Sequence, residues 1–434
     1  MNNWTCVGDI PVCKSYKLPC QTQDAPFWTM PVKTMKTRTW RWNPLSILLF
    51  GLSFLASITL NSFSPVMATV QPYAAPEIRG VWLTTNDTDI LIDRSKLHGA
   101  INELSDLNFN TLYPVVWNGG YAFFDSGTAR REGIQHFVRR GIQDYDILAE
   151  LTADAHAQGM SVIPWFEFGF MAPATSELAT LHSSWLTQKR DGNRIDMSRE
   201  GGDMVWLNPF KPEVQQFITH MLLELISRYD VDGVQFDDHF ILPVEFGYDS
   251  YTRALYKDET GRDAPSDPHN PHWVQWRADK LTAFVKTLNA DLKARRRNIV
   301  FSVAPNPYNF AYKGQLQDWL TWVREGLVDE LIVQIYRNNL GVFRRYLYTP
   351  AMREAQRMIP TAAGILTGLR NSPVPISLIE AKANAARAAG MGMSFFFYES
   401  LWEDAPEPAD TRQASFRHLF ATPMQRGGYR AENL

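Results

Sequence analysis

Two rhythms of apolar and polar positions alternate along the chain after residue 70. Short runs of β-branched and aromatic residues occupy Arg79 to Thr85, Thr111 to Trp117, Ser161 to Phe168, Gly233 to Phe240, Ile299 to Pro305, Glu330 to Tyr336, Thr361 to Gly368 and Met393 to Ser400. Between them apolar residues recur every three or four positions. Ile147, Leu148 and Leu151 do so between Tyr145 and Gln158, and Val214, Phe217, Ile218, Met221 and Leu225 between Glu213 and Tyr229. The first rhythm predicts buried strands and the second predicts helices with one apolar face. Pro212 suits a first helical turn, where a missing N–H costs nothing, and Gly159 suits a helix end. Strands separated by helices predict a parallel sheet, and eight such units predict closure, so the expected fold class is α/β, a (β/α)8 TIM barrel.

The barrel is expected to occupy residues 77–403, after a linker at 69–76 and before a polar tail at 404–434 carrying Pro406 and Pro408. The largest interruption runs from Ile241 to about Trp276, after the fourth strand, and is rich in Asp, Pro, Tyr and His. Loops that follow barrel strands lie on the active face, so this insertion is expected to help build a cleft.

Residues 1–68 read as an upstream extension plus a signal peptide. Lys33, Lys36, Arg38 and Arg41 precede an apolar run at 45–60, which ends in Ser-Pro-Val-Met-Ala with small residues at Val66 and Ala68. Cleavage after Ala68 would release the chain beyond the inner membrane, into the periplasm or the medium. Left uncleaved, the run would tether it to the membrane. Met30 and Met35 are alternative starts that give a signal peptide of ordinary proportions. All three cysteines, Cys6, Cys13 and Cys20, lie in this upstream piece, so the rest of the chain has no thiol nucleophile, cysteine metal site or disulfide.

Composition narrows the partners. A formal charge of -3 supplies no broad basic field for phosphates, so a nucleic-acid partner is not expected and a neutral polysaccharide fits better. The chain lacks the spacings of a phosphate-binding P-loop, a zincin helix and a serine-hydrolase elbow.

Strand ends of a barrel converge on one site. Here the third ends Trp165-Phe-Glu167, the fourth Asp237-Asp238-His239 and the eighth Tyr398-Glu399, so three strand ends deliver carboxylates. Glycosidic cleavage needs two carboxyl groups, one to protonate the leaving oxygen and one to attack the anomeric carbon or activate water. Asp237, Asp238, Glu167 and Glu399 are the candidates. Adjacent strand residues face opposite sides, so only one of Asp237 and Asp238 is expected to point inward, and Asp237, which closes the strand, is favoured as nucleophile or base. Glu167 and Glu399 could instead be salt-bridged in the core, and Asp-Asp-His could cap a turn or bind a metal, although no second histidine stands at ligand spacing. Asn86, Trp117, Asn118, Trp165, His239, Asn306, Tyr336 and Tyr398 are candidates for stacking on and hydrogen-bonding a sugar chain. This chemistry needs no cofactor or metal.

Five segments then carry a likeness: Glu77-Ile-Arg-Gly-Val-Trp-Leu-Thr84, Leu107-Asn-Phe-Asn-Thr-Leu-Tyr-Pro114, Ala155-His-Ala-Gln-Gly159, Trp206-Leu-Asn-Pro209 and Asp232-Gly-Val-Gln-Phe-Asp-Asp-His239. Together they resemble the glycosyl hydrolase-like 10 family over residues 77 to about 400. The resemblance implies a glycosidase-type barrel acting on bacterial glycans, peptidoglycan strands among them, with the family's acidic motif on Asp237 and Asp238. His239 stands where a Tyr is more usual, and Glu167 where an Asn commonly follows the Trp-Phe pair, which marks Glu167 as a candidate acid. A glycan-binding barrel without catalysis and a transglycosylase are the rival readings.

Overall fold

The structure is a computed structural model that describes residues 76–85, 90–91, 93–134, 146–197, 202–369, 372–424 and 426. The expectations for residues 1–75 and for Asn86 lie outside the described residues.

Eight strands run parallel around a closed ring: β1 (Arg79–Leu83), β2 (Thr111–Asn118), β3 (in two pieces, Ser161–Val162 and Trp165–Phe166), β4 (Gly233–Asp237), β5 (Val300–Ala304), β6 (Glu330–Gln334), β7 (Thr361–Leu366) and β8 (Gly392–Phe396). Each pairs with its successor, and β8 pairs with β1 through Arg79 opposite Met393 and Val81 opposite Phe395, which closes a (β/α)8 barrel. The strands are nearly all buried because one face lines the barrel and the other meets the helices.

Helices α1 (Arg94–Asp106), α2 (Ile147–Ala157), α3 (Pro212–Arg228), α4 (Pro271–Arg295), α5 (Trp319–Arg324), α6 (Pro350–Gln356), α7 (Ile376–Ala388) and α8 (Ala409–Leu419) surround it. Their starts follow from local chemistry. Asp93 accepts from the Ser95 and Lys96 amides at the head of α1, Asn270 caps α4, and Pro212 sits in the first turn of α3. On α3, Val214, Phe217, Ile218, Met221, Leu222 and Leu225 are buried, which is the apolar stripe read from the sequence.

The segment after residue 404 contains α8, whose Phe416 packs edge-on to Phe395 at 5.2 Å and lies 5.5 Å from Phe109, so it supplies part of the outer core. The chain then crosses beneath the barrel: the Thr422 carbonyl accepts from Arg79 and the Met424 carbonyl from Asn110, at the N-terminal ends of β1 and β2.

Two excursions rise on the opposite, C-terminal face. After β3, residues 167–211 hold a small antiparallel sheet of Met171–Pro173, Asp203–Trp206 and Asp196–Met197, an excursion that the sequence pattern did not announce. After β4 the insertion contains a helix, Ser250–Thr260, and a core of its own in which Tyr256, Trp273 and Trp276 meet at 4.9 to 5.3 Å. The two are sewn together by Asp249. Its buried carboxylate accepts from Thr187, Asn208 and Thr252, which gives the Trp206-Leu-Asn-Pro209 motif a structural task. Arg277, buried in α4, donates to the carbonyls of Val244, Phe246 and Pro268 and pins the insertion down.

Candidate active site

The barrel interior is polar along one line. Trp82 donates to Gln235 at 2.7 Å, Gln235 to Ser302 at 2.9 Å, and Ser302 to Glu330 at 2.8 Å, while Tyr113 donates to the same Glu330 oxygen at 3.0 Å. Closed off from water, these groups satisfy one another. At the mouth end Trp82 meets Trp165 edge-on at 6.4 Å, and above this floor the acidic residues gather.

Asp237 closes β4 and is 2% exposed. Its Oδ2 accepts from the Trp165 indole at 3.1 Å, and its Oδ1 accepts from the His239 amide at 2.8 Å and lies 3.2 Å from His239 Nδ1. Burial pushes the Asp237 carboxyl up to about 7, aided by Asp238 and opposed by His239. Asp238, half-buried, turns the other way: Asn306 donates to its Oδ2 at 2.7 Å and Gln334 to its Oδ1 at 2.9 Å. The adjacent acids therefore occupy different environments, one dry and one held by two amides at the mouth. An oxygen of each lies within 4.8 Å of the other and of a His239 ring nitrogen.

Glu167, just beyond β3, is 3% exposed and accepts from Asn118. Its carbonyl lies 2.9 Å from His239 Nδ1. The His239 ring is flanked by Phe168 at 5.8 Å and Trp206 at 6.4 Å, both stacked. Gly169 makes this possible. It has φ +45°, and a Cβ there would lie 2.4 Å from the His239 carbonyl oxygen, so the turn after β3 approaches the turn after β4 only because no side chain intervenes.

Tyr336 stacks on Phe396 at 5.3 Å. Burial and the charges of Asp238, Asp237 and Glu167 push its hydroxyl well above the usual phenol range. Glu399 opens a short helix, Glu399–Trp402, beyond the end of β8.

Glu167, Asp237, Asp238, Asn118, Trp165, His239, Asn306 and Tyr336 are thus brought together. Three expectations are corrected. Trp117 does not face the mouth: it is fully buried and packs edge-on to Phe217 of α3 at 5.7 Å. Tyr398 directs its hydroxyl to Glu103 on α1, at 2.7 Å. Trp165 is a buried floor to the site rather than an open platform for sugar. Gln334 and Gln315 were missed; Gln315 donates to the Asp238 carbonyl at 3.1 Å. Gln334 was within reach of sequence reasoning, since it stands two positions before Tyr336 on the same strand pattern.

Residues 77–385 match the family described as glycosyl hydrolase-like 10. The chain belongs to that family. It is similar to the glycosyl hydrolase DigH of Escherichia coli (strain K12), 27% identical over 319 residues, a match covering 64% of this chain and 70% of DigH. It is also similar to the glycosyl hydrolase YngK of Bacillus subtilis (strain 168), 22% identical over 311 residues, covering 65% of this chain and 59% of YngK. Among solved structures, the glycoside hydrolase domain of PgaB (BpsB) from Bordetella bronchiseptica aligns with a TM-score of 0.58 at 15% identity, over 79% of this chain and 99% of that domain. That likeness shows the fold. In this member of the glycosyl hydrolase-like 10 family, the matched segment contains β1 to β7 and every residue of the acidic cluster.

Proposed function

We propose that the protein is an exported glycoside hydrolase that cleaves a polysaccharide, with the glycan strands of bacterial cell wall first among its substrates. The observation that carries the reading is the pair at the end of β4: Asp237, pushed up to about 7, lies beside Asp238, which two amides hold at the mouth, with oxygens within 4.8 Å. Two acids whose environments differ in this way supply a held proton and an anion, the two things that glycoside cleavage requires. With Asp238 at the mouth as the nucleophile, cleavage passes through a covalent glycosyl intermediate and is retaining. The nucleophile is Asp238 rather than Asp237, because Asp237 is shut in at 2% exposure whereas Asp238 is only half-buried at the mouth. Glu167, beside the pair, is the second candidate for the acid. The apolar run at 45–60 with its preceding basic residues supports export, and the family's association with bacterial glycans supports the substrate.

The test is product analysis. The purified protein is incubated with peptidoglycan, peptide-stripped glycan strands and α- and β-glucans, beside Asp238→Asn. Shorter sugars from the wild type alone, first formed with the anomeric configuration of the substrate, are the expected result. Binding with no release from any of these polymers would sink the hydrolase reading in favour of a glycan-binding barrel, and longer products would indicate a transglycosylase.

A further inference from the structure

We infer that His239, oriented by Asp237 and the Glu167 carbonyl, is the group that hands the proton to the leaving oxygen and later takes one from water. The inference rests on the hydrolase reading above and names its acid/base.

The geometry begins with Asp237. Both of its oxygens are occupied, Oδ2 by the Trp165 indole and Oδ1 by the His239 amide and ring, and its side chain is 3% exposed. A carboxyl so enclosed does not reach a substrate oxygen. Among the described residues, the titratable side chain within hydrogen-bond distance of it is His239, whose own side chain is 17% exposed. His239 Nδ1 lies 2.9 Å from a carbonyl oxygen, which can only accept, so Nδ1 carries a hydrogen. That fixes the tautomer: in the neutral ring the lone pair is on Nε2, and in the charged ring Nε2 bears the transferable proton. Stacking on Phe168 and on Trp206 holds the ring plane, and Asp237 with the Glu167 carbonyl fixes its rotation through Nδ1, as an orienting acid does for a catalytic histidine elsewhere. Around the ring stand Asp237 and Asp238 from the β4 end and Glu167 from the β3 end, with Tyr336, just past β6, near the same acids, and Asp196 accepting from Trp206.

In the first half-reaction the bond between the anomeric carbon and the leaving oxygen breaks, that oxygen takes the Nε2 proton, and an Asp238 oxygen bonds the anomeric carbon. In the second, water gives a proton to Nε2 and its oxygen to the anomeric carbon, and the ester to Asp238 breaks. His239 ends with the proton it started with.

Leaving-group dependence reads this directly, because a good leaving group needs no proton. Wild type, His239→Asn, His239→Gln, Glu167→Gln and Asp238→Asn are assayed on peptide-stripped glycan strands and on a dinitrophenyl glycoside of an N-acetylglucosamine oligomer, with melting temperatures as a folding control. Loss of a general acid costs about 10²–10⁴-fold, so both His239 variants should fall by that factor on the strands and by far less on the dinitrophenyl glycoside, with one limb of the pH profile lost. Equal losses of the His239 variants on both substrates make the ring merely structural and overturn the inference. The leaving-group pattern appearing in Glu167→Gln instead assigns the acid to Glu167 and overturns it too, while leaving the hydrolase reading intact. A wild type inactive on both substrates overturns the hydrolase reading and this inference with it.

Discussion

Arg426 reaches up from beneath the barrel and ion-pairs with Glu330, the first residue of β6. Glu330 is 1% exposed and also accepts from Ser302 and Tyr113, so a residue outside the family match neutralises a carboxylate at the heart of the interior polar line. Removing one partner of a buried pair leaves an uncompensated charge, at a cost of about 3–5 kcal/mol. Arg426→Met, or a chain ending after Met424, should lose that much stability in urea unfolding. Arg426→Met combined with Glu330→Gln should recover part of it. A cost below ~1 kcal/mol, the level of an exposed pair, would show the contact to be open to water.

The Asp237 carboxyl gives stability a pH dependence whose sign can be stated. Its folded value, about 7, lies above the ordinary 3.8, so between these values the folded state holds the proton more tightly than the unfolded one. The favourable contribution is complete below 3.8 and is lost as pH rises through about 7. Asp237→Asn, which cannot ionise, should therefore gain stability relative to the wild type across that window and run parallel to it above. Denaturant midpoints measured from pH 4 to 8.5 check this, and parallel curves throughout would refute it.

Asn306 and Gln334 each give Asp238 one N–H. Hydrogen bonds to charged groups are worth about 1.5–3 kcal/mol, so Asn306→Ala or Gln334→Ala should lower kcat by roughly 10- to 150-fold. The melting temperature should change little. A rise in KM with kcat preserved would mean that the amides bind sugar rather than hold the acid.

Gly169→Ala should damage the site from a position that carries no chemistry. Its Cβ would meet the His239 carbonyl at 2.4 Å, and φ +45° is unfavourable for alanine. We expect about 1–3 kcal/mol of destabilisation, as for other overpacked positions, together with a marked loss of activity as His239 and Asp237 shift. Full activity would show that the two turns move independently.

Trp117→Phe separates a core residue from a site residue. The indole packs on Phe217, so the substitution should destabilise by about 1–3 kcal/mol and leave KM unchanged for any glycan that is cleaved. Tyr336→Phe should do the reverse, lowering kcat at near-constant stability.

How much of the site could be read from the chain differs from residue to residue. Asp237 and Asp238 were recognisable as a pair because they close an apolar strand, and period-two alternation said that they would part ways; it could not say which would be buried. Trp117 went astray for a definite reason. Between Val115 and Trp117 the register of β2 against β3 slips, two residues of β2 facing one step of β3, and such a slip moves a side chain to the other face. Tyr398 and Glu399 were assigned to a strand that in fact stops at Phe396, so their directions follow a turn and a short helix. Gln315, far along the loop after β5, carries no local mark of its contact with Asp238.

The order of strands and helices, the count of eight, the family and the acidic motif at the end of β4 were all set by the sequence alone, because periodicity and local motifs are properties of neighbours along a chain. Tertiary structure alone decided which acid is dry and which is held at the mouth. It also decided that Glu167 belongs beside them and that an arginine from the far end of the chain neutralises Glu330. Those outcomes depend on barrel closure, strand register and the turn at Gly169, which bring side chains from β3, β4, β5 and β6 within hydrogen-bond distance and exclude the water that would otherwise make them alike.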